Sequence, residues 1–176
     1  TPLIRASEYG DLDAVKLLLG DVDIEIVNAT DTDGWSALTH ASRKGHVEVV
    51  RAILGFQSTR TRMGNAASDS QDGLTALMYA AYFGHTAVVE ELLRVRDDID
   101  VNHCSTHPLY KGSALVYASQ YGHRDIVQLL VDHPGVDLNV VGRNGLMALG
   151  WARENQHKEI EELLYSRGAQ ERRWYR

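Results

Sequence analysis

The chain has 176 residues, of which 44% are hydrophobic, and it carries a formal net charge of −6. That negative charge argues against a nucleic-acid-binding protein, which needs a basic stripe, and no apolar run approaches the roughly 18–20 residues that span a bilayer. Cys104 is the only cysteine, so an internal disulfide is excluded and a reducing compartment is indicated. Since no signal peptide is visible, we expect a cytoplasmic protein and leave a nuclear location open.

The first predicted unit, residues 1–30, begins at Thr1, whose hydroxyl suits a helix N-cap. The chain starts there without a methionine, and we expect it to be a piece of a longer protein. The inner face of the second helix in this unit is formed by Ala14, Val15, Leu18 and Leu19. Residues 21–33 are rich in aspartate. We interpret them as a solvated loop, with electrostatic steering of a basic partner as the alternative.

The second predicted unit, residues 31–70, repeats this order, with Ser36 in the position of the N-cap. The inner face of its second helix is formed by Val49, Val50, Ile53 and Leu54. Residues 55–70 begin with Gly55 and continue as a polar stretch. We therefore expect the second helix to end near Gly55 and a mobile insertion to follow it.

The third unit, residues 71–110, shows the pattern most clearly. Thr75 is its N-cap, and Gly84 suits the left-handed turn that ends the first helix. One face of the first helix consists of Leu77, Ala80 and Ala81. The second helix has an apolar side made of Val88, Val89, Leu92 and Leu93. Residues 95–110 then form another extended connection.

The last two predicted units cover residues 111–141 and 142–176. The core of the fourth unit is formed by Leu115, Ala118, Ile126, Val127 and Leu130. In the fifth unit Met147 stands where a capping hydroxyl belongs, which costs about 1 kcal/mol. Glu161 replaces an apolar residue of the other units, as suits a terminal repeat with no neighbour to cover it. Residues 172–176 form a short tail.

Two short motifs recur along the chain. The helix starts are Thr1-Pro2-Leu3, Ser36-Ala37-Leu38, Thr75-Ala76-Leu77, Ser113-Ala114-Leu115 and, in weakened form, Met147-Ala148-Leu149. The turns after the first helix are Gly10, Gly45-His46, Gly84-His85, Gly122-His123 and Gln156-His157. Successive starts lie 34 to 39 residues apart. A period in this range is typical of a stacked helical-repeat solenoid.

This pattern resembles that of the ankyrin-repeat family, whose repeat contains T-P-L-H-x-A-A, then G-H, V-V and L-L. The resemblance covers the whole chain and implies an all-α solenoid of five helix pairs joined by β-hairpin-like loops. It implies a single ankyrin-repeat domain over residues 1–176, with repeats at about 1–30, 31–70, 71–110, 111–141 and 142–176. The family histidine after the leucine is replaced by Ile4, Thr39, Met78, Val116 and Gly150. We therefore expect the bond from that histidine to the N-cap hydroxyl to be lost.

The recurring histidines do not predict a metal site. Equivalent residues of adjacent repeats lie about 8–10 Å apart, whereas zinc holds each ligand at about 2 Å. We expect these histidines to bond to backbone carbonyls. His103, Cys104 and His107 lie close together in sequence but lack a fourth ligand. Because nucleophile and phosphate-binding motifs are also absent, we expect no catalytic residue, no metal and no cofactor.

If the repeats stack as the family's do, the first helices and the loop tips before them line a concave surface. The candidate partner-binding residues there are Trp35, His40, Arg43, Lys44, Leu74, Tyr79, Tyr82, Phe83, Tyr117, Gln120, Tyr121 and Trp151. Aromatic residues and arginine are favoured at interface hot spots. Packing against neighbouring helices is the favoured interpretation for Tyr79, Tyr117 and Trp151. Partner binding is favoured for the more exposed aromatic residues, Trp35, Tyr82, Phe83 and Tyr121.

The sequence thus favours a non-catalytic protein–protein interaction module, monomeric in isolation. It would bind a segment of another protein or a peptide in a groove centred on the third and fourth repeats. Neither nucleic acid nor a membrane is expected as a partner. Two alternatives stay open: a regulatory or targeting segment of a larger enzyme such as a kinase, and a self-associating structural scaffold.

Overall fold

The computed structural model of the chain describes residues 1–20, 23–60, 72–95, 99–105, 107–109 and 111–170. Residues 61–70 of the expected insertion and the expected tail, residues 172–176, lie outside these ranges. Within the described residues the chain is all-helical, as predicted, with eleven α-helices and no strand.

Ten of these helices form five pairs in two layers. The first helices of the pairs are α1 (Pro2–Tyr9), α4 (Ala37–Lys44), α6 (Ala76–Phe83), α8 (Ala114–Tyr121) and α10 (Ala148–Glu154). The second helices are α2 (Leu12–Gly20), α5 (Val47–Arg60), α7 (Thr86–Val95), α9 (Arg124–Asp132) and α11 (Lys158–Ser166). Each first helix packs on the next first helix, and each second helix on the next second helix. We call these the first-helix layer and the second-helix layer, and the core lies between them.

Side-chain hydroxyls begin four of the first helices, as predicted. Each accepts a hydrogen bond from the backbone N–H three residues later, at 3.2–3.4 Å, and the residues are Thr1, Ser36, Thr75 and Ser113. Met147 holds the same extended backbone before α10 but gives no side-chain cap. In the second repeat Thr39 stands in the place of the family histidine and forms a different bond to the cap. Thr39 Oγ1 lies 3.0 Å from Ser36 Oγ.

Left-handed glycines end the same helices. Gly84 has φ 78°, and a Cβ built on it would lie 2.6 Å from the His123 ring of the next repeat. The same geometry recurs at Gly10, Gly45 and Gly122. Each glycine therefore serves two needs, since a side chain would strain the backbone and would also push the next repeat away. In the fifth repeat Gln156 takes the left-handed conformation, with φ 61°.

The predicted inner faces form the core. Val88, Val89 and Leu92 of α7 are at most 1% exposed, and Ile126, Val127 and Leu130 of α9 are fully buried. Glu161 of α11 is half-buried, and it accepts hydrogen bonds from Arg153 Nε at 3.0 Å and Nη2 at 2.9 Å. The charge predicted for a terminal repeat is thus paired within that repeat.

Three expectations about the connections need correction. Helix α5 does not end near Gly55 but runs on to Arg60, and Phe56 packs against the core there. Residues 21–33 are not wholly loop, because α3 (Ile24–Val27) forms one turn that buries Val27. The loops are hairpin-like only in part: within the described residues a single antiparallel bridge, between Thr30 and Ser36, is formed.

Candidate functional site

Half of the candidate residues lie in the last turns of the first helices, where the following repeat fixes the backbone: Arg43, Lys44, Tyr82, Phe83, Gln120 and Tyr121. A histidine precedes each of the second helices α5, α7, α9 and α11. Its Nε2–H donates to a backbone carbonyl of the preceding repeat, because a carbonyl oxygen can only accept. The pairs are His46 with Glu8 at 3.2 Å, His85 with Arg43 at 3.0 Å, His123 with Tyr82 at 3.1 Å and His157 with Gln120 at 3.2 Å. The predicted bonding of these histidines to carbonyls is confirmed. These bonds satisfy carbonyls that have no hydrogen-bond partner within the end of the helix. They therefore fix the backbone of Arg43, Tyr82 and Gln120.

Four of the predicted binding residues are buried in the unbound chain. The exposed fractions are 7% for His40, 2% for Leu74, 5% for Tyr79 and 5% for Tyr117. The cause is stacking, because adjacent first helices pack together and cover the side chains between them. These residues pack beneath the exposed side chains of the surface. The burial of Tyr79 and Tyr117 agrees with the packing interpretation.

An aromatic cluster crosses from the third to the fourth repeat, and we define it as Tyr82, Phe83, Tyr117 and Tyr121. Tyr82 lies at its centre, with ring centroids 4.8 Å from Phe83, 5.4 Å from Tyr117 and 4.5 Å from Tyr121. Its hydroxyl accepts a hydrogen bond of 3.1 Å from Tyr121. Phe83 and Tyr121 are each 43% exposed. The cluster therefore presents a broad apolar surface to solvent with its rings already held in place.

Tyrosine ionisation is suppressed in this cluster. Burial, the hydrogen bond with Tyr82 and the closeness of that second phenol raise the pKa of Tyr121 to about 12. Burial also raises the pKa of Tyr117. Both phenols are neutral at physiological pH, so the cluster provides hydroxyl groups and ring faces but no negative charge.

A pocket of about 210 Å³ opens beside the cluster, between the second and third repeats. It is lined by Trp35, Arg43, Asp72, Leu74, Tyr79, Tyr82 and Phe83. All but one of these lining residues belong to the predicted binding set. The structure therefore brings the predicted loop-tip and helix residues of two adjacent repeats together around one opening.

Asp72 is the lining residue that the sequence reasoning missed. Its carboxylate accepts hydrogen bonds from the Tyr79 hydroxyl and, at 3.1 Å, from the backbone N–H of Leu74. Its backbone carbonyl accepts a 2.6 Å bond from Ser105 Oγ of the next connection. The available signal was the Asp-Gly pair just before the N-cap Thr75, since aspartate in such turns bonds to nearby backbone N–H groups.

A second carboxylate, that of Asp31, holds the lining residue Trp35 in place. Asp31 binds His40 Nε2 at 2.7 Å through one oxygen and accepts the Trp35 N–H at 2.9 Å through the other. Burial pushes the pKa of Asp31 upward, but the bonds from His40 and from the Trp35 and Asp33 N–H groups outweigh it and hold the pKa below its usual value. The Trp35 ring meets His40 and Tyr79 edge-on, with centroids 5.1 and 5.3 Å away. Trp35 is thus fixed before any partner arrives.

Besides the buried His40, three of the predicted residues belong neither to the pocket lining nor to the cluster. Trp151 packs half-buried against the core of the fifth repeat. Lys44 is exposed at the end of α4, and Gln120 is half-buried in α8. The candidate site is therefore narrower than the predicted stripe, and it is centred on the second to fourth repeats.

Other kinds of site find little support in the part of the chain that the structure describes. There, no three histidine, cysteine or acidic side chains are grouped closely enough to bind a metal ion. Burial raises the pKa of the Cys104 thiol, which disfavours the nucleophilic thiolate.

The described helices are also all too short or too polar to cross a lipid bilayer.

Comparison with known proteins agrees with this architecture. A family model described as ankyrin repeats in three copies matches residues 3–103 and 97–173. The chain is also 29% identical over 171 residues to the ankyrin repeat domain-containing protein SAT10 of Stachybotrys chartarum. That alignment covers 90% of this chain but only 8% of the relative's length. Ankyrin repeats are generally protein–protein interaction modules. Since the family model covers nearly the whole chain, with five helix pairs in register, the chain belongs to the ankyrin-repeat family.

Proposed function

We propose that this chain is a non-catalytic module that binds an extended or helical segment of another protein across α4, α6 and α8. The observation that carries the proposal is the aromatic cluster beside an open pocket, with two of its four rings partly exposed. Phe83 and Tyr121 expose 43% of their surface to water. Exposing large rings costs free energy that burial under a partner would recover.

The arrangement also favours binding because it is preorganised. The Tyr82 carbonyl is held by His123, the Tyr82 hydroxyl by Tyr121, and the Trp35 N–H by Asp31. A partner that meets rings already in place loses less side-chain freedom on binding. Aromatic side chains clustered near a pocket are the usual composition of an interface hot spot.

The double substitution Tyr82→Ala and Phe83→Ala tests this proposal. Random peptides displayed on phage are selected on the unaltered chain, and the enriched peptides are then titrated against the variant. We expect affinity to fall tenfold or more, as is usual when hot-spot side chains are truncated. Circular dichroism and urea unfolding establish that the variant remains folded.

A matched control is available in the second-helix layer. Tyr165 of α11 is also 43% exposed, but it lies beside Arg153, away from the pocket. Tyr165→Ala should therefore leave the affinity for the same peptides unchanged. Equal affinity of the unaltered chain and the folded double variant would contradict the proposed site.

A further inference from the structure

The Arg43 side chain lies over aromatic rings at the pocket. Its guanidinium carbon is 4.8 Å from the centroid of the Trp35 ring and 5.6 Å from that of Phe83. Such contacts use the flat faces of the guanidinium and leave its N–H edges available. Among the described residues no acceptor is bonded to those edges and no carboxylate forms an ion pair with them. The group is therefore half-buried, fixed in place and still able to donate.

The arginines of the second-helix layer differ in this respect. Arg51 pairs with Glu48 and Glu91, each at 2.7 Å, and Arg124 lies 3.2 Å from Glu159. Carboxylates of the chain itself thus occupy the donors on that layer. Among the described residues Arg43 is oriented by rings instead, so its N–H edges can bind an external acceptor.

Charge near the pocket limits what this acceptor can be. Lys44 is exposed one residue further along α4, so the local field around Arg43 is positive although the chain carries a net charge of −6. Asp72, however, already places one carboxylate in the pocket lining. Because Arg43 and Lys44 outweigh that one carboxylate, a negatively charged acceptor is favoured at the Arg43 edge. Among the unmodified side chains of a protein partner, aspartate and glutamate provide such an acceptor.

We infer that Arg43 binds the carboxylate of an aspartate or glutamate in the partner segment, while a neighbouring large apolar side chain of that segment enters the pocket. This inference rests on the proposed function and adds the chemistry of the partner to it. A carboxylate accepts two parallel N–H bonds from the guanidinium edge while the rings keep the face. The pocket of about 210 Å³ has the walls for the apolar side chain, in Trp35, Leu74 and Phe83. The preferred partner is therefore an acidic and apolar linear segment.

The test uses the same phage-displayed random peptides, selected in parallel on the unaltered chain and on Arg43→Gln. We expect peptides from the unaltered chain to contain an acidic residue at a fixed spacing from a large apolar one. Selection on Arg43→Gln should keep the apolar residue and lose the acidic one. In titrations, replacing the acidic residue of a selected peptide by its amide should weaken binding about tenfold to the unaltered chain and less than about twofold to Arg43→Gln.

Arg51→Gln is the control, because it removes an arginine of the second-helix layer that is already paired with glutamates. Peptides selected on it should match those from the unaltered chain. If selected peptides depend on Tyr82 and Phe83 but show no acidic preference, or one that Arg43→Gln leaves intact, the Arg43 assignment is overturned while the binding site stands. Enrichment of lysine or arginine, or of synthetic phosphoserine peptides over their glutamate versions, also overturns it. Selected peptides that ignore Tyr82 and Phe83 would instead overturn the proposed function itself.

Discussion

At the scale of single residues, contact between repeats depends on positions where a side chain is not tolerated. Gly84 ends α6 in the left-handed region, and the His123 ring fills the place where its Cβ would point. The same ring donates to the Tyr82 carbonyl. One glycine thus fixes the end of a helix, the distance to the next repeat and the position of the Tyr82 backbone.

We expect Gly84→Ala to destabilise the chain by about 2 kcal/mol or more. A left-handed backbone alone costs a non-glycine residue about 1–2 kcal/mol, and the displaced His123 ring adds to that cost. The measurement is the free energy of unfolding from urea titration.

Gly55→Ala is the matched control within α5. A Cβ there meets no described atom within 4 Å, and Gly55 lies inside a helix, where alanine is favoured over glycine by about 0.5–1 kcal/mol. This variant should be as stable as the unaltered chain or slightly more stable. Equal losses in the two variants would show that neither the left-handed turn nor the histidine contact matters.

At the scale of helices, the fifth repeat lacks the cap that the others have. Met147 has φ −89° and ψ 175°, nearly the backbone of Ser36 and Thr75, yet it provides no side-chain acceptor. The N–H groups at the start of α10 therefore lack a bond that α4, α6 and α8 possess. The geometry for a cap is already present, and only the hydroxyl is missing.

Met147→Ser should stabilise the chain by about 1 kcal/mol, because serine in this backbone accepts from the N–H three residues later. Thr75→Ala, which removes an existing cap, should destabilise it by a similar amount. Thermal and urea unfolding of both variants measure the two effects. A Met147→Ser chain less stable than the unaltered one would mean that the methionine side chain contributes more by packing than a cap does.

The features that the sequence predicted well are those set by local chemistry. Hydroxyl caps such as Thr75 and turn glycines such as Gly84 act within a few residues, so their spacing reveals the helices. The length of α5 was mispredicted because Gly55 is tolerated inside a helix whose next residue, Phe56, packs on the core. A weak local preference gave way to a packing contact.

The details of the site were harder to predict, because they depend on contacts between repeats. Which aromatic side chains lie on the first helices follows from the 3.6-residue period. Whether each is exposed depends on the neighbouring repeat, and stacking buries Tyr79 and Tyr117 but leaves Phe83 and Tyr121 open. Asp72 also lines the pocket, and helical periodicity does not identify it because it lies in a turn.

At the scale of the whole molecule, the main helix contacts among the described residues run within a repeat or between successive repeats. The first helices form one chain of neighbours and the second helices another. The stability of such an array is close to a sum of repeat terms and nearest-neighbour terms. A central repeat therefore takes part in two interfaces, whereas the fifth repeat takes part in one among the described residues.

The effect of the position in the array is tested by comparing two variants, Leu92→Ala in the third repeat and Leu164→Ala in the fifth. The leucines occupy equivalent positions in α7 and α11, and each is fully buried, so the lost packing is similar, at about 2–5 kcal/mol. Hydrogen exchange followed by mass spectrometry should show faster exchange confined to α10 and α11 for Leu164→Ala. For Leu92→Ala it should show faster exchange in the second to fourth repeats, on both sides of the substitution.

The same exchange pattern in both variants would mean that the array unfolds as a single unit. The proposed binding surface would then lose its order with any repeat, whereas nearest-neighbour coupling keeps α4, α6 and α8 folded when the fifth repeat opens.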